Sequence, residues 1–302
     1  MLLAALTLAL LPPLPAETGD AYRKVVAAAL ARAQADLAAS LDFEIDHSRW
    51  DDPWVVTSAH YEVRTTVSFA QAHELAKNLE FLRAEFVKLL GEGRRPAGPA
   101  RVWVLPTLAE YNRFGNEHGA EHSSILGSFF AADHPEQPVV TFFDGNWTQL
   151  GMWVTHGALH QFVAREFARV PEPWIEEGLA SYFALFWDWN YGASQLAELG
   201  RARKLVPLAR LLSEPLQAYV GRSHERFMQL GMLFRWLLED CEATKDEPSS
   251  EPSAEPPRGP FRDFLRAAVR GQREAQTELA EILAADADLL DEDFRAFDFA
   301  GW

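Results

Sequence analysis

The chain has 302 residues, and its 44 Asp and Glu exceed its 28 Lys and Arg, which gives a formal net charge of −16 at pH 7. Apolar residues make up 48% of the chain and charged residues 24%, a balance that excludes a disordered chain, a collagen-like repeat and a multi-span membrane protein. The acidity argues against nucleic acid as a partner, and a single cysteine, Cys241, excludes an internal disulfide or a cysteine-based metal site.

The N-terminal residues have the character of a targeting segment. Leu2 to Leu11 are almost wholly apolar, and three prolines follow before Ala16, a small residue at a plausible cleavage point. The run is too short to span a bilayer and is typical of a secretory signal peptide, although no Lys or Arg precedes it. We predict a signal peptide over residues 1–16 and a secreted or periplasmic protein without an integral membrane span. A lipid or N-terminal anchor and a buried N-terminal helix are the alternatives.

The residues that follow predict a helical segment and then a small α/β subdomain. Residues 17–53 include an Ala-rich stretch, 22–41, whose apolar residues have helical spacing. Residues 54–147 alternate short strand patterns with one long amphipathic pattern. The strands are expected at 60–67, 101–105, 124–130 and 138–143, and the helix at 70–90, where Gly91 and Gly93 end it.

Residues 148–302 have a helical pattern throughout. Helices are expected at 148–168, 174–187, 193–202, 224–241 and 261–284. Residues 246–260 are rich in Pro, Ser and Glu and predict a flexible insertion between two of these helices. The chain is therefore predicted to be an α+β protein, in which a short sheet with one long helix precedes a mostly helical half.

Two histidines lie four residues apart on the first of these helices, in the sequence His156-Gly-Ala-Leu-His160. Side chains at this spacing project from the same side of a helix, one turn apart, so both imidazoles could bind one zinc ion. The spacing alone is a weak signal, because His118 and His122 share it within a Gly-containing stretch that we interpret as a surface loop. The alternative for His156 and His160 is a pair of hydrogen-bonded core histidines.

A carboxylate follows in the sequence Pro173-Trp-Ile-Glu-Glu177-Gly-Leu-Ala. A turn near Pro171 and a helix that begins at Pro173 would return Glu177 towards the His pair, and the small residues after it permit close helix packing. Two His and one Glu form a known catalytic zinc set with an open position for water. Without a metal, Glu177 would be a carboxylate stabilised by the positive end of its helix.

Taken together, these segments resemble a gluzincin zinc metallopeptidase, and specifically the peptidase MA-like domains of secreted bacterial proteins. The similarity covers residues 55–300, and its most specific part is the segment that ends in Glu177-Gly-Leu-Ala. The resemblance implies a thermolysin-like helical half, zinc ligands at His156, His160 and Glu177, and a peptide or protein as substrate or ligand.

Three positions depart from that family. Active gluzincins have Glu after the first His as the general base, whereas this chain has Gly157, which has no side chain. An acidic residue that could orient a metal-bound His is replaced by Ser181, and a Tyr that could steady an oxyanion is replaced by Phe227. All three departures indicate a degenerate active site.

Few residues could replace the missing base. Glu176 is expected to project about 100° away from its neighbour Glu177, and Glu166 is expected to face away from the site. Glu121 lies on a loop, with His118 and His122, that could approach the cleft.

We therefore predict a catalytically impaired homologue that retains zinc and binds peptide or protein. The alternatives are an active zinc hydrolase with a non-standard base and a metal-free structural module.

Overall fold

The computed structural model describes residues 47, 49–117, 128–129, 136, 138–167, 171–215, 219, 223–240, 260–272 and 294–295. These residues belong to one compact unit that begins at His47. The predicted signal peptide, the predicted helix 22–41 and residues 246–259 of the predicted insertion lie outside the described residues. Within the described part of the chain, no helix is both long enough and apolar enough to cross a bilayer.

The N-terminal part of this unit contains a small sheet and two helices. The elements in chain order are β1 (Trp54–Thr57), β2 (Tyr61–Thr65), α1 (Phe69–Leu90), β3 (Ala100–Leu105), α2 (Leu108–Glu117), β4 (Ser128–Phe129) and β5 (Val139–Phe142). The strand order in the sheet is β1-β2-β3-β5-β4, in which β2, β3 and β5 run parallel and the edge strands β1 and β4 pair antiparallel with their neighbours.

The remaining described elements are all helices, which confirms the predicted α+β class. These elements are α3 (Trp147–Glu166), α4 (Pro173–Leu185), α5 (Trp189–Arg201), α6 (Leu208–Leu211), α7 (Ser223–Arg235), a π-helical turn (Trp236–Asp240) and α8 (Pro260–Val269).

Local sequence signals explain where the principal helices begin. The side chain of Ser68 accepts a hydrogen bond from the backbone N–H of Gln71 at the start of α1, and Asn146 accepts one from Gln149 at the start of α3. Pro173 occupies the first turn of α4, where its missing N–H costs no helical hydrogen bond. The Asn146 cap and Pro173 thus mark the start of α3 and α4, the two helices that carry the candidate site.

One hydrophobic core joins the sheet to the helical half. Val63, Val102 and Val139 lie opposite one another in adjacent strands and are buried against α1 and α3, which also contact each other. The same core continues into α4 and α7. Helix α3 is therefore held between the sheet and α4, and this position places its two histidines in the interior.

The structure corrects several predicted boundaries. Strand β1 and helix α2 were not expected from the sequence, and the helix expected over 224–241 changes to a π-helical turn at Trp236. The helix expected over 261–284 ends at Val269, because Gly271 adopts a positive φ of 71° and donates its N–H to the carbonyl of Ala268. Residues 273–284 lie outside the described residues.

Candidate metal centre

Helices α3 and α4 bring the two histidines and Glu177 together. His156 and His160 lie one turn apart on α3, and α4 returns past them from Pro173. Helix α4 also packs closely against α7, where the Phe234 ring fills the space beside Gly178. A Cβ atom at Gly178 would come within 2.1 Å of that ring. The glycine after Glu177 therefore permits the close helix packing that the sequence suggested.

The three side chains converge with distances that suit a metal ion. The Nε2 atoms of His156 and His160 are 3.2 Å apart, and the Glu177 carboxylate lies 3.5 Å from the first nitrogen and 3.7 Å from the second. Two ligands of one tetrahedral zinc, bound at about 2.0–2.1 Å, are about 3.3 Å apart. Each of these nitrogens is nearest to a different oxygen of Glu177. One ligand atom from each of the three residues can be chosen so that the three atoms lie within 4.8 Å of one another. The group could therefore hold a metal ion.

Glu176 contributes a contact that the sequence analysis missed. Its Oε1 atom lies 2.8 Å from Nδ1 of His160, and its side chain is only 7% exposed. Glu176 does leave the helix in a different direction from Glu177, but that direction leads to the far side of the same imidazole. A carboxylate on Nδ1 fixes the ring and keeps Nε2 directed at the metal position, as the partners of metal-binding histidines commonly do. In the sequence, the signal that could have indicated this contact was the pair of adjacent glutamates, Glu176 and Glu177, on the helix predicted to return towards the histidines.

The electrostatics of the metal-free site place a proton on His160. Burial lowers the pKa of His160, but the carboxylates of Glu176 and Glu177 outweigh burial and raise it to about 9. Burial lowers the pKa of His156 well below its usual value, the charge on His160 lowers it further, and the Ala180 carbonyl opposes the shift. A protonated His160 thus donates through Nδ1 to Glu176 and through Nε2 to His156. A metal ion bound here would take the place of that positive charge.

Burial also raises the pKa of the Glu177 carboxyl, with the charge of His160 opposing the shift and that of Glu176 adding to it. The metal-free site therefore sets one imidazolium against two carboxylates, of which Glu176 is buried and Glu177 partly buried, and with both ionised one negative charge remains uncompensated. Such a site favours a cation, since loss of the positive charge would leave both carboxylates without compensation.

The two predicted neighbours of the site differ in what they contact. The Phe227 ring packs against His156 with centroids 5.7 Å apart and supplies an apolar wall without a hydroxyl. The Ser181 hydroxyl is fully buried and, like Nδ1 of His156, makes no hydrogen bond of normal geometry within the described part of the chain. Within the described residues, Ser181 therefore makes no hydrogen bond that would orient either histidine.

The structure also shows where the candidate replacement bases lie. Gly157, which follows the first histidine on α3, is buried. Glu166 is paired with Arg83 at 2.7 Å and faces away from the site, as expected. Glu121, His118 and His122 lie outside the described residues. Among the residues that the structure does describe, the carboxylates that contact the two histidines are Glu176 and Glu177.

Comparison with known proteins adds no relative. No known protein family matches the chain, and a search of curated proteins finds no significantly similar sequence.

Proposed function

We propose that this protein is a gluzincin-like domain that binds one zinc ion through His156, His160 and Glu177 and lacks efficient peptidase activity. The observation that carries the proposal is the convergence of these three side chains, together with the contact of Glu176 with the far side of His160. Zinc bound here would act as a Lewis acid towards a water molecule or a carbonyl oxygen. The protein residues would hold the ion and set the orientation of its ligands.

Impaired catalysis follows from the residues around the histidines. The family mechanism needs a carboxylate that accepts a proton from water, and such a base contributes about 10²–10⁴-fold in rate. Gly157 cannot supply one. Glu176 contacts the His160 nitrogen that faces away from the metal position, so it is poorly placed to act as a replacement.

A peptide or protein ligand is supported by the edge of the sheet. Strand β4 lies at the end of the strand order, pairs with β5 on one side and contacts α3, the helix that carries both histidines. The backbone groups on the open side of an edge strand can bind an extended peptide by adding a strand to the sheet. A peptide bound along β4 would run beside the helix that carries the metal ligands.

A metal-free structural module is the second candidate, and the ion pairs of the site favour it. His160 already lies between Glu176 at 2.8 Å and Glu177 at 3.7 Å, so a protonated His160 can pair with both carboxylates without a metal.

We propose export from the cytoplasm as well, for which the apolar N-terminal residues of the sequence are the support.

Hydrolysis assays on zinc-loaded protein test the functional proposal. Digestion of a diverse peptide mixture by the unaltered protein should not exceed the background of the His156→Ala variant. The Gly157→Glu variant should gain zinc-dependent cleavage, because it restores the carboxylate next to His156. The surface variant His73→Ala, a matched control on α1, should behave as the unaltered protein does. Robust zinc-dependent cleavage by the unaltered protein would instead establish an active hydrolase with a non-standard base.

A further inference from the structure

We propose that a second site, whose lining does not include the histidine pair, binds a small organic anion that carries carboxylate or phosphate groups. The site is a cavity of about 450 Å³ between α1, the loop 91–99 and the C-terminal end of α3. This volume lies in the range of small-molecule sites, about 300–1,000 Å³. Four arginines line the cavity, and Glu92 and Glu166 are the carboxylates in the lining; the arginines are Arg83, Arg94, Arg95 and Arg165.

The loop that presents two of these arginines is fixed against α3. A Cβ atom at Gly93 would lie 2.4 Å from the carbonyl oxygen of Glu166, so the loop backbone is in close contact with the helix end. The next residue, Arg94, donates its backbone N–H to the same carbonyl at 2.8 Å and its Nε to the carbonyl of Arg165 at 2.7 Å. Two prolines, Pro96 and Pro99, further restrict the loop. The loop backbone and the Arg94 side chain are therefore held in place before a ligand arrives, which reduces the entropic cost of binding.

Backbone carbonyls accept hydrogen bonds from the guanidinium groups of Arg94 and Arg165 but carry no charge that would neutralise them. The guanidinium of Arg165 donates to the carbonyls of Gly98 at 2.6 Å and Pro99 at 3.1 Å and lies 3.6 Å from the exposed Glu136 carboxylate. The Arg94 side chain likewise bonds to carbonyls of α3. A guanidinium has five N–H donors, so each of these two arginines retains donors that a ligand could use.

The pairing of charges in the cavity is incomplete. Arg83 forms an ion pair with Glu166 at 2.7 Å. No carboxylate of a described residue lies within ion-pair distance of Arg94 or Arg95, and Arg95 is exposed and makes no hydrogen bond to the described part of the chain. An anionic ligand would supply the missing negative charge, and guanidinium groups bind carboxylates and phosphates through paired hydrogen bonds.

His60 adds a further polar group to the cavity lining. Glu80 holds its Nδ1 atom at 2.7 Å, which leaves Nε2 as the nitrogen that a ligand could contact. The cavity reaches α3 at Phe162, Arg165 and Glu166, and its lining includes neither histidine of the metal centre and neither Glu176 nor Glu177. Phe162 lies only two residues beyond His160, but that spacing turns its side chain about 200° around the helix from the imidazole. The proposal is therefore independent of metal binding.

Calorimetric titration of metal-free protein with inorganic phosphate, and separately with succinate, tests the proposal at an ionic strength held constant with sodium chloride. We expect saturable binding of one or both anions, and the stronger binder identifies the acidic group of the ligand. Arg95→Ala should weaken that binding about tenfold or more, because a charge-assisted contact is lost. Arg95→Lys should weaken it less. Arg201→Ala is a matched control, since Arg201 is exposed and bonds to a helix carbonyl at 3.4 Å outside the cavity.

Three results would overturn the proposal. The first is the absence of saturable binding of both anions. The second is an equal loss of binding in Arg95→Ala and Arg201→Ala, which would indicate a general charge effect. The third is loss of binding in His156→Ala with full retention in Arg95→Ala, which would locate the anion at the histidine pair. Circular dichroism of each variant separates any loss of fold from a loss of binding.

Discussion

Replacing Glu176 with Gln tests how the centre controls metal binding. The amide oxygen can still accept a hydrogen bond from Nδ1 of His160, but the negative charge is removed. In the metal-free protein, Glu176 and Glu177 outweigh burial and raise the pKa of His160 to about 9. Zinc binds neutral imidazole, so zinc binding near neutral pH must displace this proton.

The pKa of His160 sets how strongly the zinc affinity depends on pH. At pH 7, two units below a pKa of about 9, roughly one His160 ring in a hundred is neutral. The apparent zinc affinity at pH 7 should therefore be about 100-fold weaker than above pH 9, and it should rise about tenfold per pH unit between them. Glu176→Gln lowers the pKa, so this slope should decrease. Above pH 9 the variant should bind zinc about 10–100-fold more weakly, because it lacks the charged partner of the ligand.

Glu176→Gln should also lower the stability of the metal-free protein, and by more near pH 6 than near pH 9. The folded-state pKa of His160, about 9, lies above the ordinary value of 6.5, so its stabilising contribution is complete below about pH 6.5. This contribution is lost as the pH rises through 9. Glu176→Gln should therefore lower the free energy of unfolding by about 1–3 kcal/mol near pH 6, and by less near pH 9.

Two measurements check these expectations. Competition with a chromophoric chelator gives the zinc affinity as a function of pH, and calorimetry in buffers of different ionisation enthalpy gives the number of protons released. Glu198→Gln, an exposed change on α5, is the matched control and should keep the unaltered slope. A zinc affinity that does not vary between about pH 7 and 9, or an unchanged slope in Glu176→Gln, would refute the reasoning.

Other variants test the packing around the centre. Gly178→Ala should destabilise the protein by about 1–3 kcal/mol in chemical denaturation, because its Cβ would overlap a packed ring. A Cβ at Gly200 would lie 3.6 Å from a methyl group of Leu205, an ordinary van der Waals contact, so Gly200→Ala should be neutral or stabilising. Equal effects would contradict the close packing of α4 and α7. Glu166→Gln should lower stability by about 1–3 kcal/mol, since it leaves Arg83 without its partner, yet keep the zinc stoichiometry. Loss of zinc in that variant would contradict its placement outside the centre.

The convergence of the site was predictable because helix geometry alone determines much of it. The spacing of His156 and His160 requires that both rings lie on one side of α3, and the turn before Pro173 brings Glu177 back. The contact between Glu176 and His160 was missed, because an angle of about 100° on one helix does not specify what a packed neighbour presents there. That contact depends on the tertiary distance between α3 and α4.

The fold class was also predictable, and the exceptions have local causes. Helix α2 was missed because it is only ten residues long and mostly polar: its apolar residues do have helical spacing, but only Tyr111 and Gly115 are buried. Strand β1 is four residues long and lies at the sheet edge, where burial alternates weakly. The end of α8 was predictable in principle from Gly271, whose positive φ is a common helix terminator.

Metal analysis of the reconstituted protein tests the central claim most directly. After incubation with zinc and removal of free metal, the unaltered protein should contain about one zinc per chain, as expected for one set of three ligands. His156→Ala should contain almost none, and the surface variant His73→Ala should match the unaltered protein. A protein that retains no zinc, or a His156→Ala variant that retains the full amount, would contradict a metal centre at His156, His160 and Glu177.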